Sequence, residues 1–270
     1  MSGPAHQLTT AERVDVFDRI LVEIDETPES LAAAAQAKCL CAPGCQLDLL
    51  AVAERAAAAH AGAAATFAAD SLTAATAAAL EHACSLFDPT SARLVAGNTR
   101  QTLLAEARAT GATLVVVGTH RHSRLTARLF GTVDAAVLRD APCSVLLARP
   151  GWGASKPKEI LVGLDGSAAS ELAERVARSL ASRLGVDLQP VIALGGKPLD
   201  ESVFDPAHAD ALLDPRDPVA ALDAVAGECD LLVIGHRGAH GRRALGSVGE
   251  RIAFAAHSSV LVVRPTTAAA

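Results

Sequence analysis

The feature that most constrains this 270-residue chain is that it repeats itself. Arg19-Ile20-Leu21-Val22-Glu23-Ile24-Asp25 is answered by Glu159-Ile160-Leu161-Val162-Gly163-Leu164-Asp165, and both apolar runs end in aspartate. Thr113-Leu114-Val115-Val116-Val117-Gly118 is answered by Asp230-Leu231-Leu232-Val233-Ile234-Gly235. Ser144-Val145-Leu146-Leu147-Ala148-Arg149-Pro150 is answered by Ser259-Val260-Leu261-Val262-Val263-Arg264-Pro265. A fold assigned to one half must therefore serve the other.

Short Val/Ile/Leu runs without polar alternation are the mark of strands buried on both faces, and such strands belong to parallel sheets covered by helices. Alanine-rich helical stretches lie between them. The first half reads as strands near 19–25, 46–52, 91–96, 112–118 and 144–149, with helices near 28–41, 66–86, 99–110 and 132–140. Pro28 suits a helical first turn, where its missing N–H is not needed, and Pro142 closes the last helix. The second half reads as strands near 159–165, 186–193, 210–214, 230–235 and 259–264, with helices near 168–184, 217–227 and 247–256. Between Gly195 and Pro206 there is no room for a counterpart of the long helix at 66–86, so a loop or brief turn is expected there. Right-handed crossovers then give two open, twisted, mostly parallel α/β sheets of about five strands each, covered on both faces. The Gly/Pro/Ser-rich run Pro150 to Pro157 reads as a linker, which sets the domains at 1–152 and 158–270.

Net charge is −6 with a pI near 5.8, so the chain as a whole has no electrostatic reason to bind a polyanion, and nucleic acid is not an expected partner. Tyrosine is absent and Trp152 is the single tryptophan, which leaves few platforms for stacked bases. Met1 to Thr10 has no basic segment followed by an apolar run, and no stretch approaches 18 uninterrupted apolar residues, so export and membrane spanning are not expected. Six cysteines, at 39, 41, 45, 84, 143 and 229, are unevenly split between the halves and do not form the paired framework of a secreted domain. A reducing cytoplasm is the expected location.

In open α/β sheets, ligands bind beyond the carboxyl ends of the strands, where strand order reverses. After the fourth strand of the second half come Gly235-His236-Arg237-Gly238, seven further residues, and Gly246-Ser247 opening the last helix. Glycines let backbone N–H groups approach a phosphate, and a helix N-terminus adds unpaired donors and partial positive charge. Asp165-Gly166-Ser167 closes the strand expected alongside.

With these residues the chain resembles the universal stress protein family over nearly all of 18–150 and 158–265. The likeness rests on the ordered set of strand-end Asp, strand-end Gly, Gly-Ser or Gly-Thr helix start, and a closing strand of the type Ala141-Pro142-Cys143-Ser144-Val145-Leu146-Leu147-Ala148-Arg149-Pro150. The resemblance implies Rossmann-like domains of the adenine nucleotide α-hydrolase type and a bound ATP, with Mg as a candidate companion ion. It also implies a stress-response sensor or regulator rather than a metabolic enzyme. Carried over to the second half, the nucleotide residues are Asp165, Ala193, Gly235, Arg237, Gly238, Gly246, Ser247 and Val248. Seven residues rather than the family's nine separate Gly238 from Gly246. The first half matches at Asp25, Val52, Gly118, Gly131 and Thr132 with full spacing, but Arg121 stands where the family has its second glycine and Glu26 replaces another. A non-glycine residue forced to positive φ costs about 1–2 kcal/mol, so ATP is expected in the second half rather than the first. The resemblance further implies pairing through the last strands, 144–149 and 259–264, as an internal pseudo-dimer or between chains.

Other residues admit two readings. Arg121, with Arg124 and Arg128, is either a phosphate clamp or a solvated basic loop, and Arg237, Arg242 and Arg243 pose the same choice. Cys39, Cys41 and Cys45, with His82 or Cys84, offer zinc ligands without a recognised zinc spacing, against the alternative of ordinary buried thiols. Ser167 and Ser247 fit helix caps better than nucleophiles, and His236 and His240 are candidate donors without an identified base partner. No H-E-x-x-H or G-x-S-x-G motif is present, so hydrolysis has no support in the residues. A nucleotide sensor, a scaffold that binds no nucleotide and an ATP-hydrolysing enzyme thus stand as competing functions.

Overall fold

The computed structural model describes residues 17–54, 62–119, 133–152, 155–196, 208, 210–227, 229–236 and 248–265. Among them the first half runs β1 (Arg19–Ile24), α1 (Pro28–Leu40), β2 (Gln46–Ala53), α2 (Gly62–Phe87), β3 (Ser91–Ala96), α3 (Thr99–Thr110), β4 (Leu114–Gly118), α4 (Val133–Asp140) and β5 (Ser144–Ala148). The second half runs β6 (Glu159–Leu164), α5 (Ala168–Leu184), β7 (Asp187–Ala193), β8 (Leu212–Asp214), α6 (Pro218–Ala226), β9 (Leu231–Gly235), α7 (Val248–Ala255) and β10 (Ser259–Val263).

The strands form one sheet in the order β3-β2-β1-β4-β5-β10-β9-β6-β7-β8. The two expected five-strand parallel sheets are both present and join into one sheet of ten through their last strands, β10 pairing antiparallel with β5 through Val260 with Leu147, Leu261 with Leu146 and Val262 with Val145. Every other pairing is parallel. In each half the order reverses beside the first strand, between β1 and β4 and again between β6 and β9.

Alternation along the strands divides the apolar side chains into two layers that cross the join. Ile20, Val22, Ile24, Ile160 and Val162 share one core with buried residues of α1, α2 and α5. Leu21, Val115, Leu161 and Leu232 share the other with residues of α3, α4, α6 and α7. Trp152, only 4% exposed, packs into the first of these, so this part of the expected linker is anchored rather than loose.

The seam is tied by reciprocal polar contacts. Arg149, buried, donates from Nη1 to Ser258 O (2.8 Å) and from Nη2 to Ala253 O (2.6 Å), closing the carboxyl end of α7. Its counterpart Arg264 donates from Nη1 to Ala141 O (2.7 Å) and from Nη2 to Leu138 O, closing α4. The backbone N–H of Arg149 donates to Ser259 Oγ (3.0 Å) and that of Arg264 to Ser144 Oγ (3.1 Å). Cationic groups at helix C-termini satisfy carbonyls that the helix leaves open. Gln36, fully buried on α1, adds Nε2 to Arg149 O (2.6 Å) and accepts from Ser259 Oγ (2.8 Å).

The helices begin and end much as the residues suggest. Thr27 caps α1 with Pro28 in its first turn, Asn98 caps α3, Ser167 caps α5 and Asp217 caps α6, each side chain accepting a backbone N–H. Gly111 and Gly185 close α3 and α5 in the left-handed conformation. The expected loop between Gly195 and Pro206 shows its start, a turn at Gly195 and Gly196 bonded to Arg216 O (3.0 Å) and Pro215 O (2.7 Å); residues 197–207 lie outside the described residues.

Candidate functional site

The reversal of strand order puts β1 and β4, and again β6 and β9, side by side with their carboxyl ends together. Asp25 and Asp165 stand at these points, and the turn that follows each is built the same way. Asp25 Oδ1 accepts the N–H of Thr27 (2.9 Å) and its hydroxyl; Asp165 Oδ1 accepts the N–H of Ser167 (3.0 Å). Thr27 and Ser167 then accept from the N–H of Ser30 (3.3 Å) and Ser170 (3.2 Å), opening α1 and α5. Both hydroxyl residues are helix caps, as expected for Ser167. The turns differ at one residue: Gly166 takes φ +72°, whereas Glu26, its counterpart, is not among the described non-glycine residues with positive φ. The first half avoids the strain of an acidic side chain at positive φ by turning differently.

Gly118 and Gly235 end β4 and β9 as expected, but the reason for glycine is a different one. A Cβ at Gly235 would lie 2.3 Å from Ala169 O, and one at Gly118 would lie 2.5 Å from Glu29 C. The helix starts of α5 and α1 press against these strand ends, and only glycine admits them. The next backbone N–H in each half is also committed: Thr119 N donates to Ala148 O (2.9 Å) and His236 N to Val263 O (2.9 Å). The strand-end glycines thus serve helix packing, and their following amides serve the sheet, where the sequence suggested an opening for phosphate. Any phosphate cradle has to come from residues further along. Of the expected cradle, Arg121, Gly131, Thr132, Arg237, Gly238, Gly246 and Ser247 lie outside the described residues, as do Arg124, Arg128, His240, Arg242 and Arg243. Val248 opens α7.

The second-strand positions differ in exposure. Val52 is buried in the layer beneath α3 and α4, whereas Ala193, the last residue of β7, is partly exposed opposite Asp214. Asp214 is paired with Arg216, whose guanidinium holds the carboxyl down at about 2.

Charge separates the halves most sharply. Glu23 on β1 is pushed up to about 8, by burial first and then by the carboxylates of Asp25, Glu26, Glu54 and Asp134. Glu54 accepts from the N–H (3.2 Å) and hydroxyl (2.8 Å) of Thr99 at the start of α3, and Glu26 accepts from the Thr76 hydroxyl on α2. The counterpart of Glu23 is Gly163, where a Cβ would already meet Leu222 Cδ1 at 3.2 Å. Apolar packing therefore occupies in the second half the space that holds a carboxyl in the first. Glu23, Glu54 and Asp134 were not singled out by motif. The signal was present all the same, as one acid inside an otherwise apolar strand.

His236 is held below its ordinary range by burial and then by Arg264, so it sits neutral near pH 7. Among the described residues no three His, Cys, Asp or Glu side chains gather as metal ligands, so the zinc reading of Cys39, Cys41 and Cys45 finds no ligand set there. No described helix is long and apolar enough to cross a membrane.

Comparison with known proteins adds the following. The sequence model of the Universal stress protein family matches residues 17–149 and 214–264. A universal stress protein of Mycobacterium tuberculosis (strain ATCC 25618 / H37Rv) is 33% identical over 183 residues, a match spanning 57% of this chain and 62% of the relative. The crystal structure of a universal stress protein from Archaeoglobus fulgidus DSM 4304 superposes with TM-score 0.71 at 16% identity, covering 91% of this chain and 96% of that one. A functionally unknown protein from Pseudomonas aeruginosa PAO1 superposes with TM-score 0.66 at 18% identity, covering 96% of this chain and 95% of that one.

Proposed function

Because the chain belongs to the universal stress protein family, we propose that it binds an adenine nucleotide, ATP foremost, in its second half and acts in the stress response as a sensor or regulator. The observation that carries this reading is the turn Asp165-Gly166-Ser167 at the reversal between β6 and β9. There a carboxylate is fixed by its own turn, Gly166 supplies positive φ, and the strand interior below is free of the buried acid found in the first half. Open α/β sheets take ligands at such reversals. Asp165 and Ala193 line the nucleoside side, while Arg237, Gly238, Gly246, Ser247 and Val248 supply the phosphate side, with Mg accompanying the triphosphate. Of the first-half set, Asp25, Val52, Gly118, Arg121, Gly131 and Thr132, the aspartate stands among Glu23, Glu26, Glu54 and Asp134, whose field opposes a triphosphate. We further propose domain limits of 1–152 and 158–270, a cytoplasmic location, an internal pseudo-dimer of the two halves joined through the last strands, and no nucleic-acid partner.

Equilibrium dialysis with ATP tests the reading. The parent binds saturably, Asp165→Ala and Gly246→Asp lose affinity by 10-fold or more, and Asp25→Ala leaves it unchanged. Absence of binding by the parent, or binding indifferent to the two second-half changes, overturns it.

One observation favours a second reading, a scaffold that binds no nucleotide. Gly118, Gly235 and the amides of Thr119 and His236 are already used by helix packing and the sheet. Failure of the folded parent to bind ATP selects that function. ATP turnover that survives purification and vanishes in Gly246→Asp would instead make the protein an enzyme, which fold alone does not establish.

A further inference from the structure

The carboxyl end of α1 carries a pair of thiols that no nucleotide-binding role uses. Cys41 caps the helix, its N–H donating to Ala37 O (3.0 Å) and Lys38 O (3.3 Å). The chain then turns through Ala42-Pro43-Gly44, with Gly44 at φ +87° and Cys45 N donating to Ala42 O (3.0 Å). That turn folds Cys45 back over the helix end, where its Sγ lies 3.0 Å from Cys41 Sγ. Closing to a sulfur–sulfur bond takes a movement of about 1 Å. Both thiols are free and partly exposed, and Pro43 and Gly44 between them are exposed, so a small solute reaches the pair. Positive charge is close by: Lys38 lies in the last turn of α1, and Arg183 of α5 donates Nη2 to Leu40 O (2.7 Å). Their pull on the Cys41 thiol is outweighed by its burial.

We propose that Cys41 and Cys45 form a dithiol/disulfide site whose oxidant is a hydroperoxide. Cys45 reacts first. Its thiolate attacks one oxygen of hydrogen peroxide, the O–O bond breaks, Cys45 becomes a sulfenic acid, and the other oxygen leaves as hydroxide, which takes up the proton released by the Cys45 thiol to give the first water. Cys41 sulfur then displaces hydroxide from the Cys45 sulfur, its proton leaving with that hydroxide as the second water. Two thiols are oxidised by two electrons, and one hydrogen peroxide is reduced to two waters. The order follows from the surroundings: burial, together with the contact from Cys45, pushes the Cys41 thiol up to about 12, a poor first nucleophile. Cys143 and Cys229, buried with thiols pushed up to about 12 and about 11, stand by as spectators. Because Arg183 joins α5 to this end of α1, the site lies where the two halves of the chain touch.

The test uses the full chain treated with hydrogen peroxide, then denatured, alkylated and weighed intact, with peptide mapping. Six alkylated thiols in the untreated protein fall to four, the missing pair maps to Cys41 and Cys45, and dithiothreitol restores six. In Cys41→Ser, dimedone traps a sulfenic acid on Cys45; in Cys45→Ser, Cys41 takes no dimedone under the same exposure. Circular dichroism checks that both variants are folded, and the mapped loss in the parent decides the matter even where one is not. Retention of six alkylated thiols after peroxide, loss of a different pair, or dimedone capture on Cys41 in Cys45→Ser overturns the proposal.

Discussion

The two halves of this protein share strand order, helix caps and the aspartate turn at the reversal, yet they treat the space beneath that turn in opposite ways. The first half inserts Glu23 into β1 and surrounds it with acids; the second has Gly163 and fills the space with Leu222. Duplication therefore preserved what builds the sheet and released what sits at its strand ends. Positions under the same packing demand stayed identical, as at Gly118 and Gly235, while exposed positions diverged, as at Glu26 and Gly166.

The packing demand supplies the largest expected effect. Gly118→Val and Gly235→Val would each force side-chain atoms into the backbone of a helix start, at Cβ distances of 2.5 and 2.3 Å that no rotamer change relieves. Each is expected to cost upward of about 3 kcal/mol, at or beyond the usual range for overpacking. Urea unfolding monitored by circular dichroism measures it. Tolerance of either change would mean that the two strand ends are not held alike.

Next comes the pH dependence that Glu23 gives the first half. Glu23 has its folded value raised from 4.5 to about 8, so between those values the folded state holds a proton that the unfolded chain has released. Stability from this group is complete below pH 4.5, declines as pH rises and is lost above about 8. The decline is on the order of 5 kcal/mol over that window. Glu23→Gln removes it, so the variant gains on the parent as pH is raised from 5 to 9. Parallel pH profiles of denaturant midpoints for parent and variant would show that the acid is already ionised in the fold.

The seam arginines differ in burial. Arg149→Met strips donors from two buried carbonyls of the α7 end and is expected to cost about 1–3 kcal/mol. Arg264→Met does the same at α4 but in a more exposed setting, where water replaces part of the loss. A larger thermal shift in Arg264→Met than in Arg149→Met would invert the ranking.

Much of the architecture was legible because strands buried on both faces leave little freedom of composition. The runs ending at Asp25, Gly118, Asp165 and Gly235 declare themselves, with ends trimmed by a residue or two where ladder bonding stops. What stayed hidden needs three-dimensional proximity. Nothing local in Ser144 to Arg149 reports that β5 will meet β10, and only the resemblance pointed there. Gly235 looks like a phosphate glycine until Ala169 is seen against it. Trp152 reads as linker by its neighbours and as core by its contacts. Of the site, the aspartates and their caps were visible, and Glu23 stood out as an acid within an apolar run, while the acids that gather around it come from distant parts of the chain.

The smallest effect tests whether the two aspartate turns are equivalent in strength. Thr27→Ala removes the acceptor for Ser30 N and the hydroxyl that bonds Asp25; Ser167→Ala removes the acceptor for Ser170 N. Loss of an N-cap costs about 1 kcal/mol. Thr27 holds the aspartate as well as the helix, so its loss also frees an acid among acids. Removal of Thr27 is therefore expected to cost a few tenths of a kcal/mol more than removal of Ser167, an excess that shrinks at low pH as the neighbouring Glu23 carboxyl is protonated. Denaturant midpoints of both variants at pH 5 and pH 8 measure the difference. An equal cost at both pH values would mean that the hydroxyl of Thr27 acts as a helix cap alone, and that charge, rather than turn geometry, is all that distinguishes the first site from the second.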